Sequence, residues 1–388
     1  MKISLGLTHN CNLRCNYCYA GEKNHKNMDL KTASEIVDFA FEITPSKDQI
    51  NFSFFGGEPL LCFSLIKEII SYIKTKDFSN PISYNITTNG TIINDEIIDF
   101  INLNDIKLCI SIDASEHTHD KNRVDINNNG TLKTVLQNIK KISNKVNFFQ
   151  INAVYGPDTI EELDETFSFF IENEIKNIHL NPNITQDWDQ SIFSKITEAY
   201  ENIADKYMSQ YKNNQEVALN LIDNKLILFL KGGYDKEDKC GMGETEFGFA
   251  PSGNVYPCER LIGDDTNEEI CMGNIHTGIN PLKRYIIGKN RGNSNAECVT
   301  CSVQKYCMNW CGCTNYKMTG YSDKVSSMLC YSERAAITAA KKVILELQDN
   351  ETFINHFCNY AYDANKLLNT EVYYEHTHRR SNGKSMES

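Results

Sequence analysis

The sequence predicts an α/β protein: parallel strands in an open partial barrel, then a small cysteine-rich domain and C-terminal helices. Three observations predict it. Strand-like and helix-like segments alternate strictly through the first half. Gly, Cys and Asn rise and periodicity fades over residues 240–332. Helical apolar spacing then returns at Tyr331–Leu347.

Strands are expected at Lys2–Thr8, Gln49–Phe55, Ile82–Thr88, Lys107–Asp113, Val146–Val154 and Asn177–Asn181, all rich in Ile, Phe or Val. Helices are expected between them at Leu30–Ile43, Phe63–Lys74, Asn94–Ile101, Thr131–Ile142 and Ile160–Asn173, where apolar residues recur every three or four positions. Strict βα alternation implies parallel strands with right-handed crossovers. Six strands are too few for a closed eight-stranded barrel. They form either a partial (β/α)6 TIM-like barrel or a doubly wound sheet, and in both cases ligands gather at the carboxyl ends of the strands.

The expected boundaries are 1–183 for the partial barrel and 184–239 for a helical bridge with helices at Ile196–Tyr211 and Ala218–Leu230, ended by Gly232-Gly233. Residues 240–332 form the cysteine-rich unit, with a hairpin-like piece at Phe247–Tyr256. Helices cover 333–362, the shorter near Phe353–Tyr362, and a polar tail over 363–388 is expected to be disordered. Met1 opens directly into the first strand, so no separate recognition domain is expected ahead of the barrel.

The 388 residues carry a net charge of −12, which argues against a nucleic-acid or anionic-membrane binder. No apolar run approaches the roughly 20 residues of a membrane helix, and no secretory signal is visible. A cytoplasmic location is expected. Fifteen cysteines without a secretory signal point to metal or redox use rather than disulfides. Three lie in residues 11–18, eight lie between Cys240 and Cys313, and residues 19–239 hold only Cys62 and Cys109. A disulfide scaffold does not leave such a long, nearly cysteine-free middle. Cys62, Cys109 and Cys358 sit in apolar contexts and are expected in the core.

The first group is Cys11-x3-Cys15-x2-Cys18. Structural zinc sites and closed iron–sulfur sites take four protein ligands. Three thiols leave one iron of a cubane cluster open to a small molecule, and a zinc site is the alternative by spacing alone. With Tyr17 before the third cysteine, with Gly56-Gly57-Glu58-Pro59 at the end of the second strand, and with Thr88-Asn89-Gly90-Thr91, Ser111-Ile112-Asp113 and His119-Asp120-x2-Arg123 further on, the chain resembles the radical S-adenosylmethionine superfamily. The resemblance implies a [4Fe–4S] cluster on Cys11, Cys15 and Cys18. It also implies S-adenosylmethionine contacts from Tyr17, Gly56, Gly57, Glu58, Asn89, Ser111, Asp113 and Arg123. The open iron would chelate the cofactor, and one-electron reduction would release a 5′-deoxyadenosyl radical that takes a substrate hydrogen.

The second group runs Cys240, Gly253-x4-Cys258, Cys298-x2-Cys301-x5-Cys307-x3-Cys311 and Cys330. It resembles the seven-cysteine SPASM domain of peptide- and protein-modifying radical enzymes, against the alternative of two structural zinc sites. The resemblance implies two auxiliary [4Fe–4S] clusters, one on Cys298, Cys301, Cys307 and Cys330, the other on Cys240, Cys258 and Cys311. The latter lacks a fourth ligand, because Gly241–Pro257 contains no further cysteine. Cys271, Cys313, a non-cysteine group, or no protein group at all fills the place. We expect an open iron that binds a substrate thiolate.

The implied substrate is a peptide or protein, possibly cysteine-containing, with an electron donor such as flavodoxin or ferredoxin. The expected reaction is thioether or carbon–carbon cross-linking of a ribosomally made peptide. The alternative is conversion of Cys or Ser to formylglycine, as in anaerobic sulfatase-maturating enzymes, which carry an Asp base after the second auxiliary cysteine. Here that residue is Glu259, the candidate catalytic base, and a salt bridge to Arg260 is its structural alternative. A non-enzymatic iron–sulfur carrier or scaffold is the third reading.

Overall fold

The computed structural model of the protein describes residues 1–235, 238–289 and 295–363. Its N-terminal elements are β1 (Lys2–Gly6), β2 (Leu13–Cys15), α1 (Leu30–Ile43), β3 (Ile50–Phe55), α2 (Phe63–Lys74), β4 (Ile82–Thr88), α3 (Asp95–Leu103), β5 (Ile106–Ser111), α4 (Glu116–Asn122), β6 (Arg123–Asp125), α5 (Leu132–Ile142), β7 (Phe149–Tyr155), α6 (Leu163–Glu172) and β8 (Asn177–Pro182). Then come α7 (Phe193–Lys212), β9 (Ala218–Leu219), α8 (Asn220–Lys231), β10 (Glu246–Phe249), β11 (Asn254–Tyr256), β12 (Gly273–Asn274) and β13 (Gly278–Ile279). The last helices are α9 (Pro281–Lys289), α10 (Ala296–Val299), α11 (Gly312–Thr319), α12 (Ser327–Leu347) and α13 (Glu351–Asp363). The expected disordered tail lies, from residue 364 on, outside the described residues, as does the Cys358 side chain.

All six expected strands are present. They lie side by side in chain order, β1-β3-β4-β5-β7-β8, every pair parallel. A doubly wound sheet would reverse direction partway, so the arrangement is the partial barrel. The sheet continues past β8 to β9 and past β1 to β10, and β10 pairs parallel with β1 (Ser4 opposite Gly248). From β10 the meander β11-β12-β13 runs antiparallel, with Gly248 opposite Tyr256. The cysteine-rich segment thus builds onto the barrel sheet itself.

Alternation along the strands separates two faces. On one, Ile3, Phe52, Phe54, Ile86, Leu108, Ile110, Ile151 and Leu180 are buried under the helices. Phe39 of α1 packs edge-on against Phe247 and Phe249, with ring centroids 5.8 and 5.9 Å away. The other face is polar. Its rows read Glu246, Lys2, Asn51, Ser83, then Ser4, Ser53, Asn85, Lys107, then Thr87, Cys109, Gln150, and then Ser111, Asn152, His179. Parallel strands covered on both faces read as continuous apolar runs. These do not, because polar side chains line their second face. Asn85 Nδ2 donates to Asn51 Oδ1 (2.9 Å) and Asn51 Nδ2 to Ser83 Oγ (2.8 Å), so the rows satisfy one another.

Local chemistry sets the helix ends. Asp29 caps α1 by accepting from Thr32 N (2.7 Å), and the stripe Ala33, Ile36, Val37, Ala40, Phe41 faces the core. Asn94 caps α3 rather than opening it, accepting from Ile97 N at 2.9 Å. Helix α12 begins four residues before the expected Tyr331, because Ser326 caps it through Leu329 N (3.1 Å). That places Cys330 on the first turn of a helix. No helix among the described residues is long and apolar enough to cross a membrane.

The cysteine-rich segment is tied to the helices by a buried ion pair. Lys225 Nζ of α8 lies 2.6 Å from Glu333 Oε2 of α12 and donates to Tyr306 O at 3.1 Å. Met308 N also donates to Glu333. Breaking one partner of a buried pair leaves an uncompensated charge, costing about 3–5 kcal/mol. E333A is therefore expected to lower the denaturation midpoint sharply, whereas the paired K225M/E333L restores most of the loss. A double variant as unstable as E333A would show that the pair does not account for the cost.

Candidate functional site

The first cysteine group follows β1. The chain leaves the sheet at Leu7, whose N–H donates to Phe55 O (2.8 Å), and runs beside the loop after β3. Gly57 N donates to Thr8 O (2.7 Å) and Glu58 N to Asn10 O (2.9 Å). A Cβ on Gly56 would stand 2.5 Å from Thr8 O, and one on Gly57 2.1 Å from Asn10 O. The resemblance gives these glycines to the cofactor, and in the structure they also admit the backbone of the cysteine loop.

Glu58 is fully buried and its carboxylate is fully engaged. Oε1 accepts from Leu60 N (3.0 Å) and Thr88 Oγ1 (2.8 Å), and Oε2 accepts from Asn89 N (2.8 Å). Burial pushes it up to about 7 against these hydrogen bonds. Asn89 Nδ2 donates to Asn12 Oδ1 (2.8 Å) and lies 3.9 Å from Cys11 Sγ. Thus Glu58 fixes the ends of β3 and β4 to each other, and Asn89 fixes them to the cysteine loop. Ser111 stands half-buried at the end of β5, opposite Asn152.

Asp113, Arg123 and Tyr17 meet each other. Arg123 Nε and Nη2 donate to the two Asp113 oxygens at 2.8 and 3.1 Å. Val154 N donates to Oδ1 at 2.8 Å, and the Tyr17 hydroxyl donates to Oδ2. The guanidinium lies 5.2 Å from the Tyr17 ring centroid. Strand β2 pairs with β6, with Cys15 opposite Arg123. The cysteine loop is therefore strapped to the segment that Asp113 anchors. A polar cavity of about 140 Å³ opens beside it, lined by Asn16, Tyr17, Val154, Gly156, Asn183 and Thr185 at the ends of β7 and β8.

Of the three thiols, Cys11 is buried, Cys15 half-buried and Cys18 exposed. Lys23 Nζ lies 3.0 Å from Cys18 Sγ, a contact that sequence reasoning missed. Burial pushes the Cys15 thiol up to about 11. Among the described residues no His, Cys, Asp or Glu set converges on one metal ion. A cubane's ligands bind separate irons and need not converge, so thiols grouped on one loop without a fourth fit a cluster better than zinc.

In the cysteine-rich segment, Cys258 and Cys311 of the second group, with Cys313, are buried and share a small apolar cluster with Met242, Tyr256, Leu261 and Ile262. Cys240 lies at its rim. Interaction with Cys258 leads in pushing the Cys313 thiol up to about 12. Crowded buried thiols of this kind suit a positively charged iron core as partner. Burial pushes the Arg260 guanidinium down, but Cys313, Tyr19, Cys311 and Cys258 outweigh it and hold it above its ordinary value. Cys301 Sγ lies 3.4 Å from Arg334 Nη2, and Cys330 and Cys307 also act on that guanidinium. Arg260 and Arg334 were not legible as site residues, since nothing in their spacing sets them apart from solvated charges.

Glu259 reaches the polar sheet face. The Ser4 hydroxyl donates to its Oε2, and Lys2 Nζ lies 3.5 Å from Oε1. Its ion-pair partner is Lys2, not Arg260. Tyr19 stacks on Phe55 at 6.0 Å, and both cysteine groups act on it through Cys18 and Cys258. Glu259 lines a small cavity with Thr8, His9, Ala20 and Gly56. Cys62 packs against the apolar core as expected. Cys109 is buried but stands on the polar face, 3.9 Å from Gln150 Nε2.

The model for the radical SAM superfamily matches residues 5–170. A cysteine-type anaerobic sulfatase-maturating enzyme of Clostridium novyi is 26% identical over 78% of this chain and 85% of its own. An uncharacterized Methanocaldococcus jannaschii protein is 36% identical over 71% of this chain and 88% of its own. The radical SAM cyclopropyl synthase TigE of Paramaledivibacter caminithermalis is 24% identical over 90% of this chain and 74% of its own. Among solved structures, anSMEcpe with bound AdoMet and Cp18Cys peptide superposes with a TM-score of 0.73 at 19% identity, covering 90% of this chain and 98% of that one. Streptococcus suis SuiB bound to precursor peptide SuiA gives 0.60 at 19% identity, covering 84% and 75%.

His119 supplies a test of how this site is held. Its Nδ1 accepts from Asp113 N (3.1 Å) and its Nε2 faces Thr131 Oγ1 (3.0 Å). Burial, reinforced by Arg123, pushes it down to about 4. It is neutral in the fold, whereas in the unfolded chain it protonates below about pH 6.5. Its contribution is complete above that pH and is lost as pH falls from 6.5 toward 4, on the order of 3 kcal/mol in all. H119N, whose amide oxygen can accept from Asp113 N, is expected to flatten that dependence between pH 7 and 5. Equal urea-midpoint slopes for the two proteins would remove His119 as the cause.

Proposed function

The chain belongs to the radical SAM superfamily, and on that premise we propose that it is a maturase that oxidises a side chain of a peptide or protein segment. The observation that carries this reading is Glu259. Its carboxylate reaches the polar sheet face directly after Cys258, held by Ser4 and Lys2. The sulfatase-maturating relative, the cyclopropyl synthase and the peptide-bound structural neighbours support a peptide or protein as substrate.

We assign Cys11, Cys15 and Cys18 to the S-adenosylmethionine-binding [4Fe–4S] cluster, and the second group to two auxiliary clusters, with Cys298, Cys301, Cys307 and Cys330 on one. When bound, these groups supply a one-electron route for removing hydrogen from an unactivated carbon and a sink for the electron left behind. The chain's own residues do the rest. Gly56, Gly57, Glu58 and Asn89 fix the cysteine loop against the ends of β3 and β4. Asp113, Arg123 and Tyr17 hold its far side, and the β7–β8 cavity beside Tyr17 offers polar groups to the cofactor. Glu259 takes the substrate proton at its carboxylate, which Ser4 and Lys2 hold in place. A flavodoxin or ferredoxin as electron donor belongs to the same proposal.

Within this reading we place cross-link formation first, by a thioether or carbon–carbon bond in a ribosomally made peptide. Formylglycine formation is the second reading, favoured by the sulfatase-maturating relative and by a carboxylate directly after Cys258. Anaerobic incubation of the full chain with peptides encoded beside its gene, and with a sulfatase-derived peptide, separates them. A cross-link removes two hydrogens and suppresses fragmentation between the joined residues, whereas formylglycine reacts with hydrazines.

Two variants test the residue roles. C15A is expected to abolish 5′-deoxyadenosine formation. E259Q is expected to keep it while losing about 10²–10⁴-fold in modified peptide, the usual worth of a positioned base. Unchanged coupling in E259Q would remove Glu259 as the base.

A further inference from the structure

We propose that the indole N–H of Trp310 donates a hydrogen bond to a sulfur of the auxiliary cluster assigned to Cys240, Cys258 and Cys311, and that this bond raises the reduction potential of that cluster. This role rests on the iron–sulfur reading of residues 240–332 and extends it to how the electron sink is tuned.

The chain has two tryptophans. An indole N–H only donates, so burying it demands an acceptor. Trp188 finds one, donating from Nε1 to Asn183 O at 2.8 Å. Trp310 does not. Its Nε1 is shut off from solvent and meets no acceptor among the described residues. The side chain is not free to turn toward water, because Tyr234 packs edge-on against it, with ring centroids 5.0 Å apart and planes at 84°. The backbone is pinned on both sides of it. Met308 N donates to Glu333, Asn315 Nδ2 donates to Asn309 O (3.0 Å), and Cys311 N donates to Met308 O (3.3 Å).

Two placements direct this donor to the cluster. Trp310 immediately precedes Cys311. Its ring also packs against the small apolar group that contains Cys258 and Cys311, with Cys240 at the same rim. A neutral thiol is a weak acceptor, whereas the thiolate and sulfide sulfurs of a cluster are anionic and accept strongly. Reduction adds negative charge to those sulfurs, so the hydrogen bond is stronger in the reduced form and the potential rises. A higher potential makes this cluster the better acceptor for the electron left on the substrate after hydrogen abstraction. In that step the substrate radical loses one electron to the cluster and one proton to Glu259, and Trp310 keeps its own proton.

The test uses the full chain carrying C11A, C15A and C18A, reconstituted anaerobically with iron and sulfide, so that only auxiliary clusters form. This background is expected to hold roughly eight irons, as two [4Fe–4S] clusters. Electron paramagnetic resonance during a redox titration reads their midpoint potentials. W310F keeps an aromatic ring and removes the donor. It is expected to lower one midpoint, leave the other in place and keep the iron content. Labelling the indole nitrogens with nitrogen-15 is expected to give a hyperfine coupling to a reduced cluster, which covers the case in which W310F does not fold. That coupling should vanish when C240A, C258A and C311A leave only the other cluster. Unchanged midpoints in an iron-replete W310F, no nitrogen-15 coupling, or a coupling that survives loss of those three cysteines would overturn the role of Trp310 while leaving two clusters in place. A background that takes up zinc and no iron overturns the cluster reading itself, and the role of Trp310 with it.

Discussion

A sheet must bury one face under helices, and in this protein it turns polar side chains to the other. The alternation that places Ile3, Phe52, Ile86 and Leu108 under the helices sends Ser4, Asn51, Asn85 and Gln150 the opposite way. A one-residue slip in any strand would exchange the faces. Register therefore fixes the core and the character of the site together. Glu259 can reach Ser4 and Lys2 only because even-numbered positions of β1 point to the polar side.

Buried charge is the second organising element. Asp113 takes hydrogen bonds from Arg123, Tyr17 and Val154, so one carboxylate joins β5, β6, β7 and the cysteine loop. Removing any donor leaves a buried acceptor short of a partner, which is costly in a low-dielectric interior. Several residues expected to touch a cofactor hold the loop that would carry it. In a site of this kind the positioning groups lie so near the binding groups that the residue pattern does not separate them.

Much of the fold was legible because the signals were periodic. The six strands and their five helices follow from Ile, Phe and Val spacing, and α1 and α2 fall where that spacing puts them. Helix ends were less legible where a polar cap extends a helix into a loop-like sequence, as Ser326 does for α12. The β1–β10 pairing was not legible at all. No local pattern announces that Glu246–Phe249 will lie beside Lys2–Leu5. Cys313 lies beside Cys311 because a helix begins between them, which no spacing rule announces. Arg260 and Lys2 gained meaning only from long-range contacts.

That pairing has a consequence for how the chain comes into being. Strand β1 gains one neighbour, β3, within about fifty residues, but the neighbour on its other edge is β10. At ribosomal speeds of about 5–20 residues per second, β10 appears on the order of 10–50 s later. During that interval β1 presents an unpaired edge, a template for unintended partners. The first cysteine loop hangs from that same strand, with Glu259 and Tyr256 not yet made. Nascent chains are therefore most exposed to aggregation and oxidation at the point where the mature protein carries its most reactive residues.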